Sequence, residues 1–272
     1  MSTKIIVCYH KKDKLYKDDI FVPVHCGRDV ALQPSKDGII NNADKIWLEE
    51  NLIGDNTGDN ISLKNRSLNE MTAVYWVWKN YDKIGNPDYI GLNHYRRFFD
   101  ISYNKLDNLL NKYDFVKHRH YKSKDSYYTL WMKSFNKDFY NIAEKVFQEV
   151  NPEEYDKFNK FMHSKINGGL CNMFILSKED FFRYCEFIFS ILLKLPLDDK
   201  YKRNPGMFAE RLTSFYLYEL EKKKKAKNSS IVVNPYENKM QKFFSIKRHE
   251  ISKHVIVTIL GLKMKFNIKG RV

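Results

Sequence analysis

The stretch Asp88-Tyr-Ile-Gly-Leu-Asn-His-Tyr-Arg-Arg-Phe-Phe99 decides how this chain folds. Tyr89 to Leu92 is short, apolar and β-prone, and it gives way abruptly to Asn93, His94, Arg96 and Arg97. A buried strand running into a polar cluster is the pattern of an open α/β sheet, where ligands bind outside the carboxyl ends of the strands. Two adjacent guanidinium groups match the paired oxygens of a diphosphate. An arginine pair bridging surface carboxylates is the competing reading, and His94-Tyr-Arg-Arg97 alone leaves both open.

Outward from that strand, the pattern alternates between periods of two and of 3.6. Lys4 to Tyr9 reads as a first strand, and Phe21 to Val24 as a second short strand or a loop. Leu68, Met71, Val74/Tyr75, Trp78 and Tyr81 form one stripe, which predicts a single helix from Ser62 to Tyr81, stopped by Gly85-Asn-Pro87. A short helix is expected over 106–110 and a strand over 113–116. Residues 117–135 are basic and aromatic without periodicity, and read as a long loop or lid. A helix follows from Lys137 to Val150, then a buried strand from Leu170 to Leu176. Ser177-Lys-Glu-Asp180 caps a helix reaching Leu193, and Asn204-Pro-Gly206 introduces a last one, Met207 to Leu220. The sum is a layered α/β fold with a central, mostly parallel sheet flanked by helices.

The 272 residues carry a formal net charge of +14, but the segment from Glu221 to Val272 alone holds fourteen Lys/Arg and three Glu, or +11. That divides the chain into a folded domain over 1–220 and a basic C-terminal segment over 221–272. An anionic partner is expected for the tail rather than for the whole chain. No helix-turn-helix, zinc-finger or RNP pattern accompanies the charge, so nucleic acid is not the expected partner. His254 to Lys269 mixes β-branched residues with lysines, suiting peripheral contact with an anionic membrane leaflet; a solvated basic tail is the alternative. Cys8, Cys26, Cys171 and Cys185 are scattered without metal-ligand spacing. The first residues do not resemble a signal peptide and no run of about 18 apolar residues is present, so a cytoplasmic protein is expected.

Five constellations carry candidate chemistry. Tyr9, His10 and Gly27, after the first strands, are candidates for bordering a nucleotide base, with a structural role as the competing reading for Tyr9. Asn65 and Glu70 belong to a polar cluster at a helix start, where an anion or sugar is favoured and where capping is the competing role. His94, Arg96 and Arg97 are candidates for holding a diphosphate. Nucleotide-sugar enzymes commonly bind that group through a metal on Asp-x-Asp, which this strand end lacks. Paired arginines can neutralise a leaving diphosphate directly, so no metal site is assigned, while Mn²⁺ or Mg²⁺ recruited by Asp88 and Asp100 stays open. His163 and Asn172 flank Gly168-Gly169 and are candidates for sugar or acceptor contact, with helix capping as the competing role for His163. Glu210, expected in the first turn of the last helix behind Gly206, is the candidate general base, with helix-dipole stabilisation as its competing role.

These blocks resemble a bacterial family. Asp55-x-x-Gly-Asp-Asn-Ile-Ser-x-Lys-Asn65, Asn69-Glu-Met-Thr-Ala-Val-Tyr-Trp-Val-Trp-Lys-Asn80, the strand Tyr89 to Phe99, Cys171-Asn-Met-Phe-Ile175 and Phe208-Ala-Glu-Arg-Leu212 are similar, in order, to the motifs of the DUF4422 family of capsular and exopolysaccharide glycosyltransferases. The match spans roughly residues 3 to 220; Met71 stands where leucine is commoner. The resemblance implies a GT-A-like fold and sugar transfer from a UDP-sugar, UDP-galactofuranose first among them, to a lipid-diphosphate-linked oligosaccharide, with inversion. A non-catalytic polyanion-binding protein is the reading from another class.

Overall fold

The computed structural model describes residues 1–34 and 38–235, together with three strands beyond them. It divides into two compact units, Met1–Val232 and Val233–Val272. The first unit is built on a seven-stranded sheet. Its strands are β1 (Thr3–Tyr9), β2 (Phe21–His25), β3 (Ile53–Gly54), β4 (Tyr89–His94), β6 (Phe115–His118), β9 (Phe174–Ser177) and β10 (Ala226–Ser229). Two small ladders complete the unit's strands: β5 (Phe98–Phe99) pairs with β11 (Ile231–Val232), and β7 (His120–Lys122) with β8 (Ile166–Gly168).

The sheet order is β10-β6-β9-β4-β1-β2-β3. β1 pairs in parallel with both β2 and β4, whereas β9 runs antiparallel to its neighbours β4 and β6. The sheet is therefore mostly parallel, with β9 reversed inside it.

Period-two alternation sends successive side chains into two separate cores. Ile6 and Cys8 of β1, Ile90 and Leu92 of β4, and Phe174 and Leu176 of β9 face one layer. Ile5, Val7 and Tyr9, with Met173 and Ile175, face the other. The first layer is the larger. It holds α3 (Met71–Lys79), α5 (Tyr127–Ser134), α6 (Lys137–Val150), α7 (Pro152–His163), α8 (Lys178–Leu192) and α9 (Asn204–Glu221), which bury Trp76, Trp131, Tyr184 and Phe208. The second is closed by α1 (Asn42–Asn51) and α4 (Leu106–Leu110), through Leu48, Leu106 and Leu110. Among the described residues, no helix is long and apolar enough to cross a membrane.

Several expectations are corrected. The helix expected over 62–81 is broken into a 3-10 turn at Ser62–Lys64, a single turn α2 (Asn65–Leu68), a kink at Asn69, then α3 and a second 3-10 turn at Tyr81–Ile84. The stripe persists across the kink because Leu68 and Met71 are both fully buried three positions apart. The strand expected at 113–116 lies two residues later, and the one at 170–176 begins only at Phe174. Residues 117–135 are not a lid: they form the end of β6, then β7 and α5, with Tyr127 and Trp131 wholly buried. The helix α7, opened by Pro152 at its first turn, was not expected from the sequence. The Ser177 cap does form, its side chain accepting from the Asp180 N–H at 3.2 Å.

The second unit is an antiparallel meander of β12 (Phe244–His249), β13 (His254–Ile259) and β14 (Leu262–Asn267). The expectation of lipid contact through 254–269 concerns side chains that lie outside the described residues.

Candidate active site

Leaving β1, the chain turns to β2 on one side of the sheet and later to β4 on the other. The carboxyl ends of β1 and β4 are thus the point where winding reverses, the place where open α/β sheets have their ligand-binding crevice. Register places Cys8 of β1 opposite His94, the last residue of β4. Asp88, one of the two carboxylates left open for a metal, precedes β4 and so lies at the opposite end, accepting from Ser2 N at 2.7 Å. Among the described residues, no group of three or more His, Cys, Asp or Glu is arranged to hold a metal ion.

After His94 the chain makes a two-residue turn. Arg97 N–H donates to His94 O at 2.9 Å and His94 N–H to Arg97 O at 3.2 Å. His94 and Arg97 are therefore cross-strand partners with side chains on one face, while Tyr95 and Arg96 occupy the tip. This turn separates the two arginines. Arg96, 57% exposed, donates from Nε and Nη2 to Asp13 Oδ2 at 2.9 and 2.6 Å. Its guanidinium also lies 5.2 Å from the Tyr95 ring. Arg97 instead donates to Cys171 Sγ at 3.3 Å.

Around His94 and Arg97 gather two carboxylates from different elements. Glu70 stands at the start of α3, immediately after the kink. Its Oε1 accepts from Asn172 Nδ2 at 2.7 Å and lies 3.8 Å from His94 Nε2. The kink that presents it is heavily bonded. Asn69 has φ 53°, Asn65 Nδ2 donates to Asn69 O at 2.7 Å, and Arg203 Nε donates to Asn69 Oδ1 at 2.8 Å. Glu210 comes from α9. Because that helix begins at Asn204, Glu210 falls in the second turn rather than the first, too far along for the dipole role to dominate. Gly206 is not an opening for a substrate: a Cβ there would lie 2.1 Å from Asn69 Nδ2, so the glycine lets α9 seat against the kink.

Burial, reinforced by the charge of Glu70, pushes the Glu210 carboxyl up to about 7, while Arg211, Arg97 and Arg203 pull it the other way. Arg211 is buried with its Nη1 3.1 Å from Glu210 Oε2. Its guanidinium lies 5.1 Å from the Trp131 ring and 5.0 Å from that of Phe135, so it is fixed in place. Both Glu210 and Glu70 keep 13% side-chain exposure, enough to be met from the crevice.

The segment entering β9 completes the cluster. His94 Nε2 is 2.6 Å from Cys171 O, and Asn172 Oδ1 accepts from Thr213 Oγ1 at 2.7 Å. Asn172 is wholly buried with both ends of its amide bonded, so its partners are Glu70 and Thr213 and not a sugar hydroxyl. Cys171 has φ 91° and Asn172 φ 52°. Non-glycine residues held at such angles cost about 1–3 kcal/mol each and concentrate at functional sites.

The other sequence candidates are placed elsewhere. Tyr9 is wholly buried, its hydroxyl donating to Lys14 O at 2.9 Å and accepting from Tyr16 N–H at 3.0 Å; it secures the loop after β1 and does not face a base. His10 is exposed beside it, its ring 5.4 Å from that of Tyr95. Gly27, at φ 69°, admits Asn65, whose Cγ would sit 2.3 Å from a Cβ there. Gly27 N–H donates to Asp55 Oδ2 at 2.7 Å. Asn65 itself is committed to Asn69 O and Thr72 Oγ1. Both thus belong to the frame behind the crevice. His163 ends α7 with its ring 4.2 Å from Tyr128. Sequence reasoning missed Cys171, Arg203 and Thr213, whose roles depend on the kink and the left-handed turn.

The family described as "Domain of unknown function (DUF4422)" matches residues 4–224, and the chain belongs to that family. Among solved structures it is similar to the apo structure of WbbM, described as a bifunctional glycosyltransferase, with a TM-score of 0.68 and 25% identity. That likeness covers 86% of this chain and 46% of the other, so this chain spans about half the length of its structural relative. No curated protein matches.

Proposed function

We propose that this member of the family is a glycosyltransferase that moves a sugar from a UDP-sugar, with UDP-galactofuranose the first candidate, to a hydroxyl of a lipid-diphosphate-linked glycan in capsular, exopolysaccharide or O-antigen synthesis. The observation that carries the reading is Glu210. A carboxyl raised to about 7 in a crevice at the sheet's switch point is matched to proton abstraction near neutral pH.

In this reading the acceptor hydroxyl gives its proton to Glu210 as its oxygen attacks C1 of the donor sugar. The bond from C1 to the diphosphate oxygen breaks in the same displacement, inverting the anomeric centre, and UDP leaves with the electron pair. Arg97, exposed at the crevice, meets the charge growing on the diphosphate, joined by Arg96 once Asp13 releases it. His94 and Glu70 border the donor sugar. A divalent ion, if one came with the donor, would supply Lewis-acid charge to the diphosphate, and loss of all turnover in EDTA would assign it that part. The basic segment from Glu221 onward favours working close to an anionic membrane face.

Glu210→Gln tests the role. Transfer, followed as UDP release with a lipid-linked acceptor, should fall by about 10²–10⁴-fold while UDP affinity stays near wild type. A variant that transfers at the normal rate, or that loses UDP affinity instead, refutes the base.

A further inference from the structure

Gly168, Gly169, Cys171 and Asn172 have φ of 97°, 67°, 91° and 52°, so four of five consecutive residues entering β9 are left-handed. Glycine takes such angles freely, whereas cysteine and asparagine hold them only where the surroundings leave no alternative.

The surroundings form a buried chain of donors with a fixed direction. Lys117, on β6, is almost wholly buried and pairs with Glu221 Oε2 at 2.7 Å. Its Nζ also lies 2.6 Å from His120 Nδ1. An ammonium group only donates, so the imidazole must accept at Nδ1 and carry its proton on Nε2. Nε2 is 2.8 Å from Ser214 Oγ. Ser214 is wholly buried on α9, one helical turn beyond Glu210. Its hydroxyl lies 3.4 Å from Gly168 O, the carbonyl that also accepts from the Tyr127 hydroxyl.

On the other side, Gly169 N–H donates to His118 Nδ1 at 3.2 Å. No slack remains: a Cβ on Gly169 would meet His120 Nε2 at 2.6 Å and Ser214 Oγ at 2.7 Å. Burial and the Lys117 charge hold the His120 imidazole neutral, with its pKa down to about 3.

We infer that His120 and Ser214 are positioning residues for the crevice, locking the Gly168–Asn172 turn so that Cys171 O meets His94 and the Asn172 amide meets Glu70. The inference rests on the transfer reading for its kinetic consequence, but the lock itself is readable without substrate. Cys171 is half-buried while Cys8, Cys26 and Cys185 are buried, so its alkylation by iodoacetamide reports the turn. Ser214→Ala removes the hydroxyl with little change in volume. Alkylation of Cys171 should quicken by about fivefold or more as the turn opens locally. Transfer by the same variant should lose about tenfold or more in kcat, with donor KM within about twofold, because the displaced groups are those around the reacting carbon. Tyr127→Phe, aimed at the same carbonyl, carries the same readings where Ser214→Ala does not fold. Equal alkylation rates in the folded variant and wild type overturn the lock. Quickened alkylation with unchanged kcat overturns its part in catalysis. A wild-type protein that transfers no sugar refutes the transfer reading instead, and the alkylation comparison still decides the lock.

Discussion

Glu210 and Glu70 reach the crevice from different helices, and each is defined by what its neighbours leave it. Glu70 is tied by the Asn172 amide and fixed beside His94. Glu210 faces that negative charge from a buried position, with Arg211 on one side. In the proposed transfer the pair would divide the labour of two carboxylates: one fixed and hydrogen-bonded, the other poised to take a proton. Nearby, Arg96 shows why neighbours in sequence need not act together. The two-residue turn sends it to Asp13, while Arg97 shares a face with His94. An exposed ion pair of this kind is worth about 0–1 kcal/mol, too little to outcompete a diphosphate. Removing the competitor should help the ligand: Asp13→Asn is expected to tighten UDP by about twofold to fivefold, and Arg96→Ala to weaken UDP far more than uridine. Calorimetric titration of both ligands checks this. Unchanged UDP affinity in both variants would leave Arg96 a structural residue.

At the scale of elements, the kink at Asn69 does most to build the site. Without it, a continuous helix would carry Glu70 round to a different face. Asn69 at φ 53° is stabilised by Asn65 and Arg203, and Thr72 beyond it donates to Asp55 Oδ2 at 2.6 Å. Asn69→Ala loses the Arg203 bond and tolerates that φ less well, so it should destabilise the protein by about 1–2 kcal/mol in urea unfolding. Unchanged stability would mean the kink is imposed from elsewhere. The kink also shows what the sequence could not display. Leu68 and Met71 keep helical spacing across the break, so hydrophobic periodicity runs straight through it. The polar block Asp55 to Asn65, by contrast, stood out as a polar cluster at a helix start and as part of the family motif. Residues 117–135 misled for a different reason: Lys117 and His120 are consumed internally by Glu221 and Ser214, and Tyr127 and Trp131 are buried, while Arg119, Lys122 and Lys124 between them stay exposed, so no single period shows.

Over the whole molecule, the α/β layering was legible in short β-branched runs, a polar cluster at the end of Tyr89 to His94, and amphipathic helices, whereas the strand order β10-β6-β9-β4-β1-β2-β3 was not. The reversal of β9 was not legible, since periodicity fixes which face a residue occupies and not the direction of its strand. That reversal brings the Cys171–Asn172 turn to the same end of the sheet as His94. There it meets Glu70 from the kink and Glu210 from α9, residues separated by 140 positions in the chain. Glu210 was singled out as a carboxylate near the start of a helix opened by Pro-Gly, although it lies one turn further along than expected. Its perturbed acidity was not, because it arises from burial and from Glu70, both products of the fold. The measurement that tests this arrangement most directly is the pH dependence of kcat/KM for transfer. In wild type the rate should rise with pH through about 7, where Glu210 loses its proton. In Glu70→Gln, with the like charge gone, that limb should move to lower pH. A limb that stays in place in the variant, or a wild-type rate that falls as pH rises through this range, would contradict the account.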